Sequence, residues 1–445
     1  MHELTEKRLK RQIIGKQHRF LAVVPLGFEQ TFINEVAFIK QLFMTSEQSP
    51  EPFKIKMVGD GKVEFSAKIT EAWKIVAYSR IANRISVHIA DFKAENFREF
   101  EKKSAEVPWE LYLDQGSFPR NTLNIHVACK HSRLYHSDAI AERLQNVIEG
   151  GSLPLDRTAS LPTPSAGVPR NAPQHLYVNF LDDRCTLWLD LAGEELYKRG
   201  HERFVNDAPL KETIAAGMLF EATFSTLQIT LFDLMAGSGT FSLEAAYISN
   251  KLIPGTCRDF ALKHQPAFKE ATWNFITRIT SSNSMKQPIT KIITSDISPK
   301  AVEIIRHNVE CSPLANISPV PVAPELKDFF SYSAQDIANA CLGESVPVIV
   351  LNPPYGKRLD FDAPKLYTRI GRRLAELARP LKQFGKPLTV AILAPKDDGR
   401  PGTHYTCTAN LLQECPDLSP TRNAKAKCIA TSHGGFSLNM IIASL

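Results

Sequence analysis

The sequence predicts an α/β protein in two parts: an α+β first half, and a second half built on a doubly wound, mostly parallel sheet. Three observations carry this. From Thr226 onward, continuous apolar runs such as Ile229 to Leu234 and Val346 to Leu351 alternate with amphipathic stretches, as strands buried between layers of helices do. Before that point the strands alternate apolar and polar residues and meet at tight turns, the pattern of half-buried strands. At 445 residues the chain exceeds one ordinary core and suits two or three domains.

The first 19 residues read as a basic tail (Lys7, Arg8, Lys10, Arg11, Lys16, Arg19), and residues 20–192 as the α+β region. Phe20 to Val24 is a short strand. Phe28, Phe32, Val36, Ile39 and Phe43 then recur at helical spacing. Gly59-Asp60-Gly61 turns a hairpin, and helices are expected near Thr70 to Val87 and Phe97 to Lys103. Leu123, Ile125, Val127 and Cys129 alternate with Asn124, His126 and Ala128 as a half-buried strand. It runs into a loop dense in donors and aromatics, Lys130 to His136, ahead of a helix opened by Ser137 and Asp138. Such a loop suits a phosphate-rich, irregular RNA; a merely solvated loop has the same composition. Gly150 to Pro173 reads as an exposed excursion, Leu176 to Leu181 and Thr186 to Leu191 as a hairpin, and 193–207 as a charged linker.

In the second half, residues 208–445, the first strand ends at Asp233 and turns through Ala236-Gly237-Ser238-Gly239-Thr240 into a helix. The glycines permit a tight turn and close approach of a ligand to free helix amides. Position 242 is serine where a dinucleotide fingerprint has its third glycine, which disfavours an NAD site, and no Gly-Lys-Ser/Thr follows to make a P-loop. The next strand ends in Asp296-Ile297-Ser298-Pro299, an acid placed to accept both ribose hydroxyls of a nucleoside cofactor. The long gap between Gly239 and Asp296 requires Ile253 to Gln287 to loop out. Asp336, after Phe329 to Ala334, is a third candidate, for an adenine amino group or simply as a helix cap. Val348 to Leu351 then stops dead at Asn352-Pro353-Pro354-Tyr355: prolines cannot donate to a sheet ladder, so a rigid loop leaves the strand there. An amide beside an aromatic face suits a planar ring bearing an amino group, or else forms a tight surface turn.

Composition bounds the function. Hydrophobic residues at 43% and charged residues at 22% describe a globular protein with a sizeable core. The net charge of +6 and a pI of 8.8 permit a polyanionic partner without demanding one. No apolar run is of membrane-spanning length and the start has no signal-peptide core, so a cytoplasmic protein without membrane contact is expected, as a monomer. The eight cysteines contain no Cys-x-x-Cys pair, which argues against a zinc site and a disulfide framework.

The ordered set of glycine turn, acid after the second strand, further acid and Asn-Pro-Pro-Tyr resembles a class I S-adenosylmethionine-dependent methyltransferase of the amino-methylating group. The stretch Cys129 to Arg143 resembles a THUMP domain. Lys198-Arg199-Gly200, Ala208 to Ala216, Ile253-Pro254-Gly255 with Arg258, and Asn352 to Leu359 are similar to the bacterial THUMP-containing large-subunit rRNA guanine-N2 methyltransferases, in a form with one catalytic domain. The resemblance implies an RNA-docking α+β module with a THUMP domain, joined to a seven-stranded Rossmann-like methyltransferase domain. It further implies S-adenosylmethionine held by Asp233, Ala236, Gly237, Ser238, Gly239, Thr240, Asp296, Ile297, Asp336 and Asn352. Catalysis falls to Asn352, Pro353, Pro354 and Tyr355, and RNA contacts to Lys130, Ser132, Arg133, Tyr135, His136 and Arg199. Two departures stand out: Leu234-Met235-Ala236 precedes the glycines where the family has Pro-x-Cys, and His201-Glu202-Arg203-Phe204 follows Arg-Gly in place of Tyr-Arg. Ribosomal RNA is the expected substrate ahead of tRNA. Adenine-N6 methylation and a non-catalytic RNA-binding assembly factor remain as alternatives, and no metal is expected.

Overall fold

The computed structural model describes residues 2–43, 54–113, 123–150, 172–205, 209–223, 228–278, 289–316, 319–355, 362–396 and 406–445. Residues 151–171 of the expected Gly150 to Pro173 excursion, and the Gly356 to Leu359 part of the Asn352 to Leu359 motif, lie outside them. The basic start is not a tail. Helix α1 (His2–Leu9) continues through a π turn (Lys10–Ile14) that buries Ile13, and Arg8 pairs with Glu110 at 2.7 Å.

Strand β1 (Gln17–Val23), helix α2 (Glu29–Leu42), β2 (Lys54–Gly59), β3 (Lys62–Lys68), α3 (Ile69–Tyr78) and β4 (Arg84–Lys93) follow. Then come α4 (Phe97–Ala105), β5 (Leu123–Lys130), α5 (Ser137–Ile148), β6 (Gln174–Leu181) and β7 (Arg184–Asp190). The strands form one seven-stranded sheet in the order β2-β3-β1-β4-β7-β6-β5, antiparallel except where β5 joins β6. The single helix expected over 70–87 breaks in two. Glu35 on α2 accepts from Ser79 Oγ at 2.6 Å and the Arg80 amide at 2.7 Å, which holds Ser79 extended and ends α3. Ile85 and Val87 then alternate into the core as part of β4.

The second half comprises α6 (Glu212–Thr223), β8 (Ile229–Asp233), α7 (Thr240–Ser249), α8 (Glu270–Arg278), β9 (Ile289–Asp296), α9 (Pro299–Glu310) and β10 (Pro324–Leu326). It continues with α10 (Ala334–Ala340), β11 (Val346–Leu351), α11 (Ala363–Gln383), β12 (Thr389–Pro395), α12 (Cys407–Glu414), β13 (Lys427–His433) and β14 (Phe436–Ser444). Its seven strands lie in the order β10-β9-β8-β11-β12-β14-β13, with β14 antiparallel to both neighbours, as the apolar runs and the closing hairpin predict. Strand order reverses between β8 and β11, so the crevice outside their C-terminal ends is where a ligand binds in such a sheet.

The stretch expected to loop out between Gly239 and Asp296 instead fastens the halves together. Its residues 253–278 bury Trp273 and Ile276, Phe268 meets Trp73 at 5.7 Å, and Tyr78 donates to the Ile276 carbonyl at 2.8 Å. A common apolar core runs from Phe20 and Phe65 through Phe28 and Met218 to Leu231 and Val348. A second core lies on the far face of the second sheet, around Tyr367, Leu374 and Ile392. Among the described residues no helix is long and apolar enough to cross a membrane.

Candidate active site

The site grows from the C-terminal edge of the second sheet. Register sets Val350 beside Asp233, Asp233 beside Thr294, and Leu326 beside Asp296, so the residues just beyond these strands share one rim. Asp233 is buried. Its Oδ2 accepts from the Ser242 amide at 3.1 Å and hydroxyl at 2.7 Å, while Oδ1 is buried without a hydrogen-bond partner. Burial pushes its carboxyl up to about 7, against the two Ser242 bonds and with help from Asp296. Ser242, which stands where a dinucleotide fingerprint has glycine, is thus the carboxyl's anchor.

A pH dependence follows. A folded-state pKa near 7 lies above the ordinary aspartate value, so the neutral carboxyl's contribution to stability is full below the unfolded pKa and lost as pH rises through about 7. Thermal melts of the ligand-free protein should therefore show Asp233→Asn gaining on wild type as pH rises from about 5 to about 8. A constant difference would mean that the carboxyl is charged throughout.

Gly237 and Gly239 take positive φ, 57° and 78°. A Cβ on Gly239 would come within 2.9 Å of Ile305 Cγ1, so only glycine fits. Gly239 starts α7 without a side-chain cap, leaving first-turn amides for a ligand. The Gly237 amide donates to Asp296 Oδ2 at 2.9 Å, and Asp296 Oδ1 accepts from the Ser298 amide at 2.9 Å. A carboxylate has about four lone-pair sites, so acceptor capacity for ribose remains. Ile297, 70% exposed beside it, offers an apolar face.

Arg203 clamps the glycine loop from behind. It pairs with Glu212 and donates to Ser238 Oγ at 3.2 Å and to Thr240 Oγ1. Asn308 donates to the Ser238 carbonyl at 3.2 Å and exchanges hydrogen bonds with the Phe204 backbone. The departure from the family pattern at His201 to Phe204 is therefore a fastening of the loop. A cavity of about 760 Å³ opens along this segment, lined by His201, Arg203, Lys211 and His433 among others.

Beyond β11, Asn352 Oδ1 is buried with no hydrogen-bond partner, Pro353 is buried and Pro354 is exposed. Tyr355 is half-buried and meets Phe436 edge-on at 5.8 Å; burial pushes its phenol to about 12, so it stays neutral. An asparagine serving only as a turn cap would have its oxygen occupied by a backbone amide, and this one does not.

Two expected site residues are placed elsewhere. Phe329 to Ser331 is a 3₁₀ turn, and the strand before it is β10, which is too short and polar to betray itself as an apolar run. Asp336 is exposed and closes a capping box with Ser333 on α10, so the third acid on the rim is Asp328. Asp328 lies two residues past β10 and accepts from the Phe330 amide at 3.0 Å, and the neighbouring Lys327 amide donates to the Asp296 carbonyl at 3.1 Å. Asp328-Phe329-Phe330, one residue after Pro324-Glu325-Leu326, was the available signal. Arg199 is 5% exposed and is no surface contact: it holds Glu244 of α7 through two hydrogen bonds, at 2.8 and 3.1 Å, and donates to the Leu196 and Arg80 carbonyls. Gly200 (φ 93°) lies so close to Arg258 that a Cβ would be 2.6 Å from its backbone, and Arg258 donates to the carbonyls of Ala192, Glu194, Glu195 and Lys198. The linker motif is architectural.

The loop after β5 is at the surface. Lys130 and His136 are exposed, and Tyr135, 65% exposed, has its ring 4.1 Å from that of His136. Arg133 is outward but paired with Glu95, and the Ser132 hydroxyl is used locally, donating to the Lys130 carbonyl and accepting from the Asp183 amide. Among the described residues no cluster could hold a metal.

Comparison with known proteins agrees with this geometry. Residues 199–384 match the UPF0020 family, described as RMKL-like, methyltransferase domain. The chain is 29% identical over 307 residues to the ribosomal RNA large subunit methyltransferase K/L of Alteromonas mediterranea, covering 68% of this chain and 40% of the relative. It therefore spans well under half the length of that relative. It is 27% identical over 352 residues to YpsC of Bacillus subtilis, provisionally an RNA methyltransferase, covering 77% of this chain and 80% of YpsC. In fold it is similar to a possible methylase from Clostridium difficile 630, with a TM-score of 0.69 at 20% identity over 96% of this chain and 98% of the other. Residues 199–384 are thus similar to the RMKL-like methyltransferase domain, and they lie on a Rossmann-like sheet.

Proposed function

We propose that this chain is an S-adenosylmethionine-dependent RNA methyltransferase acting on an exocyclic base amine, the N2 of a guanine in 23S rRNA. The observation that carries the reading is the buried, unpartnered Asn352 oxygen on a proline-stiffened loop at the switch point of the sheet. A buried polar atom left without a partner costs free energy unless a ligand completes it.

The residues present fit the cofactor. Free amides after Gly239, the unpaired Asp233 Oδ1 and the Asp296 carboxylate, itself held by the Gly237 amide, would hold its polar groups, and Ile297 would cover an apolar face. When bound, S-adenosylmethionine supplies a methyl group on a positively charged sulfur. An aromatic amine is a poor nucleophile because its lone pair is delocalised into the ring. Asn352 Oδ1 and the Pro353 carbonyl would accept its hydrogens and draw the nitrogen toward tetrahedral geometry, with proline fixing the carbonyl direction. Tyr355, braced by Phe436, would stack on a base swung out of its helix. Alignment does most of the work, so no strong general base is required. Lys130, Tyr135 and His136, with Arg133, would dock the RNA through a THUMP-type module.

Arg203→Ala, which frees Ser238 and Thr240, should raise KM for S-adenosylmethionine about tenfold with a smaller change in kcat, because the loop it holds binds cofactor and does not touch the amine. Steady-state kinetics against cofactor concentration checks this; an unchanged KM would leave Arg203 a purely structural clamp. The function itself is tested by transfer of labelled methyl from S-adenosylmethionine to total RNA and, separately, to DNA. Label in RNA alone is expected. Tight RNA binding without transfer would make the chain an assembly factor.

A further inference from the structure

The first sheet has a face that none of the roles above uses. Helices α2 to α5 pack on the other side, where Phe32, Val76, Phe100 and Ile140 share a core with Phe20, Phe65, Val87, Val178 and Leu187. On the unused side, β5 exposes Asn124, His126, Ala128 and Lys130 in strict alternation. Register sets His126 beside Tyr177, Tyr177 beside Trp188, and Trp188 beside His88, which makes one row of rings across four neighbouring strands.

The rings meet in two pairs. His126 stacks on Tyr177 at 4.9 Å and 17°, and its Nε2 hydrogen bonds to His175 Nδ1 at 2.9 Å. Trp188 meets His88 edge-on at 5.1 Å. Arg84 lies over Tyr177 at 5.4 Å and Arg19 over Trp188 at 5.5 Å. Burial, with Arg84 nearby, lowers the pKa of both imidazoles, that of His175 to about 4, so the His126–His175 pair is uncharged at neutral pH. Basic side chains on this face (Arg19, Lys54, Lys56, Arg84, Lys130, Arg184) outnumber the acids Glu64, Asp91 and Asp190, which pair with Arg19, Lys56, Arg84 and Arg184 and leave the face net basic. His126, on the edge strand, ends the row in solvent.

We infer that this face binds a single-stranded segment of RNA, whose bases stack onto the His126–Tyr177 row while its phosphates follow Lys130 and the arginines. Trp188 is buried and His88 half-buried, so the stacking platform is the exposed His126 with the half-buried Tyr177; neutral rings beside cations are what sequence-tolerant single-strand binding needs, since every base has a π-face. Lys130 ends β5 and opens the loop bearing Tyr135 and His136, so the face extends the docking surface proposed above and rests on that reading.

The test is fluorescence anisotropy of the full chain with a labelled, mixed-sequence RNA of about 12 nucleotides, the length scale of such sites, over a series of salt concentrations. His126→Ala removes an exposed ring without opening the core and should weaken binding about tenfold, the loss of one stacked base, with the salt slope unchanged. Tyr177→Phe, which keeps the ring, should bind like wild type. Lys130→Ala should lower the slope by about one. Wild-type binding that His126→Ala leaves within about twofold, or equal affinity for a duplex of the same length, overturns the inference. A wild type that binds no RNA at any salt overturns the RNA reading itself.

Discussion

Asn352→Ala should lower methyl transfer by about 10²- to 10³-fold, the scale expected for removing one preorganised polar group from a transition state, while S-adenosylmethionine affinity stays close to wild type. The cofactor's contacts are with the glycine loop and the rim acids; the Asn352 oxygen is buried, unpartnered and stiffened by Pro353. Its loss removes an acceptor needed only as the amine becomes tetrahedral, so kcat and kcat/KM fall together. Asn352→Asp keeps an acceptor and should retain more activity than the alanine variant. Single-turnover transfer beside a cofactor titration measures both quantities. Turnover equal to wild type in Asn352→Ala would make the Asn-Pro-Pro-Tyr stretch a structural turn.

Arg199→Ala should destabilise the protein by about 3–5 kcal/mol, because it strands the buried Glu244 carboxylate. Burial pushes the Glu244 carboxyl up, but the Arg199 and Arg80 guanidiniums together hold it below the ordinary glutamate range, so Glu244 is charged in the folded protein. The cluster ties α7, the linker and the turn after α3 into one unit: Arg80 is 3.5 Å from Glu244, its amide donates to Glu35, and Arg199 donates to the Arg80 carbonyl. Denaturant unfolding should lose midpoint accordingly. Arg199→Met combined with Glu244→Leu should recover most of the loss, since a well-packed apolar pair avoids the desolvation of both ions. The RNA salt slope should be the same in Arg199→Ala as in wild type; a slope lowered by about one would return Arg199 to the phosphate contacts.

What was legible in the sequence is what burial makes periodic. β8, β9, β11 and β12 are read from apolar runs, and the closing hairpin from its two glycines, because strands covered on both faces must be apolar throughout. The glycine turn, Asp296 and Asn352 are read from the strands they follow. β10 was not legible, since Pro-Glu-Leu pairs with β9 through backbone and carries no pattern, and Asp328 beyond it went unread for that reason. β4 was missed because α3 and β4 are separated only by Glu35 from another element, a tertiary contact that no local propensity encodes. Arg199 misled for a similar reason: a basic residue in a charged linker reads as surface, and its partner lies 45 residues away on α7.

The most direct test of the central claim is the identity of the methylated nucleoside. Large-subunit RNA incubated with the purified chain and labelled S-adenosylmethionine, then digested to nucleosides and resolved, should carry its label in N2-methylguanosine and should carry none when the chain is Asn352→Ala. Label in N6-methyladenosine would contradict the base assignment, and label in tRNA with none in large-subunit RNA would contradict the substrate.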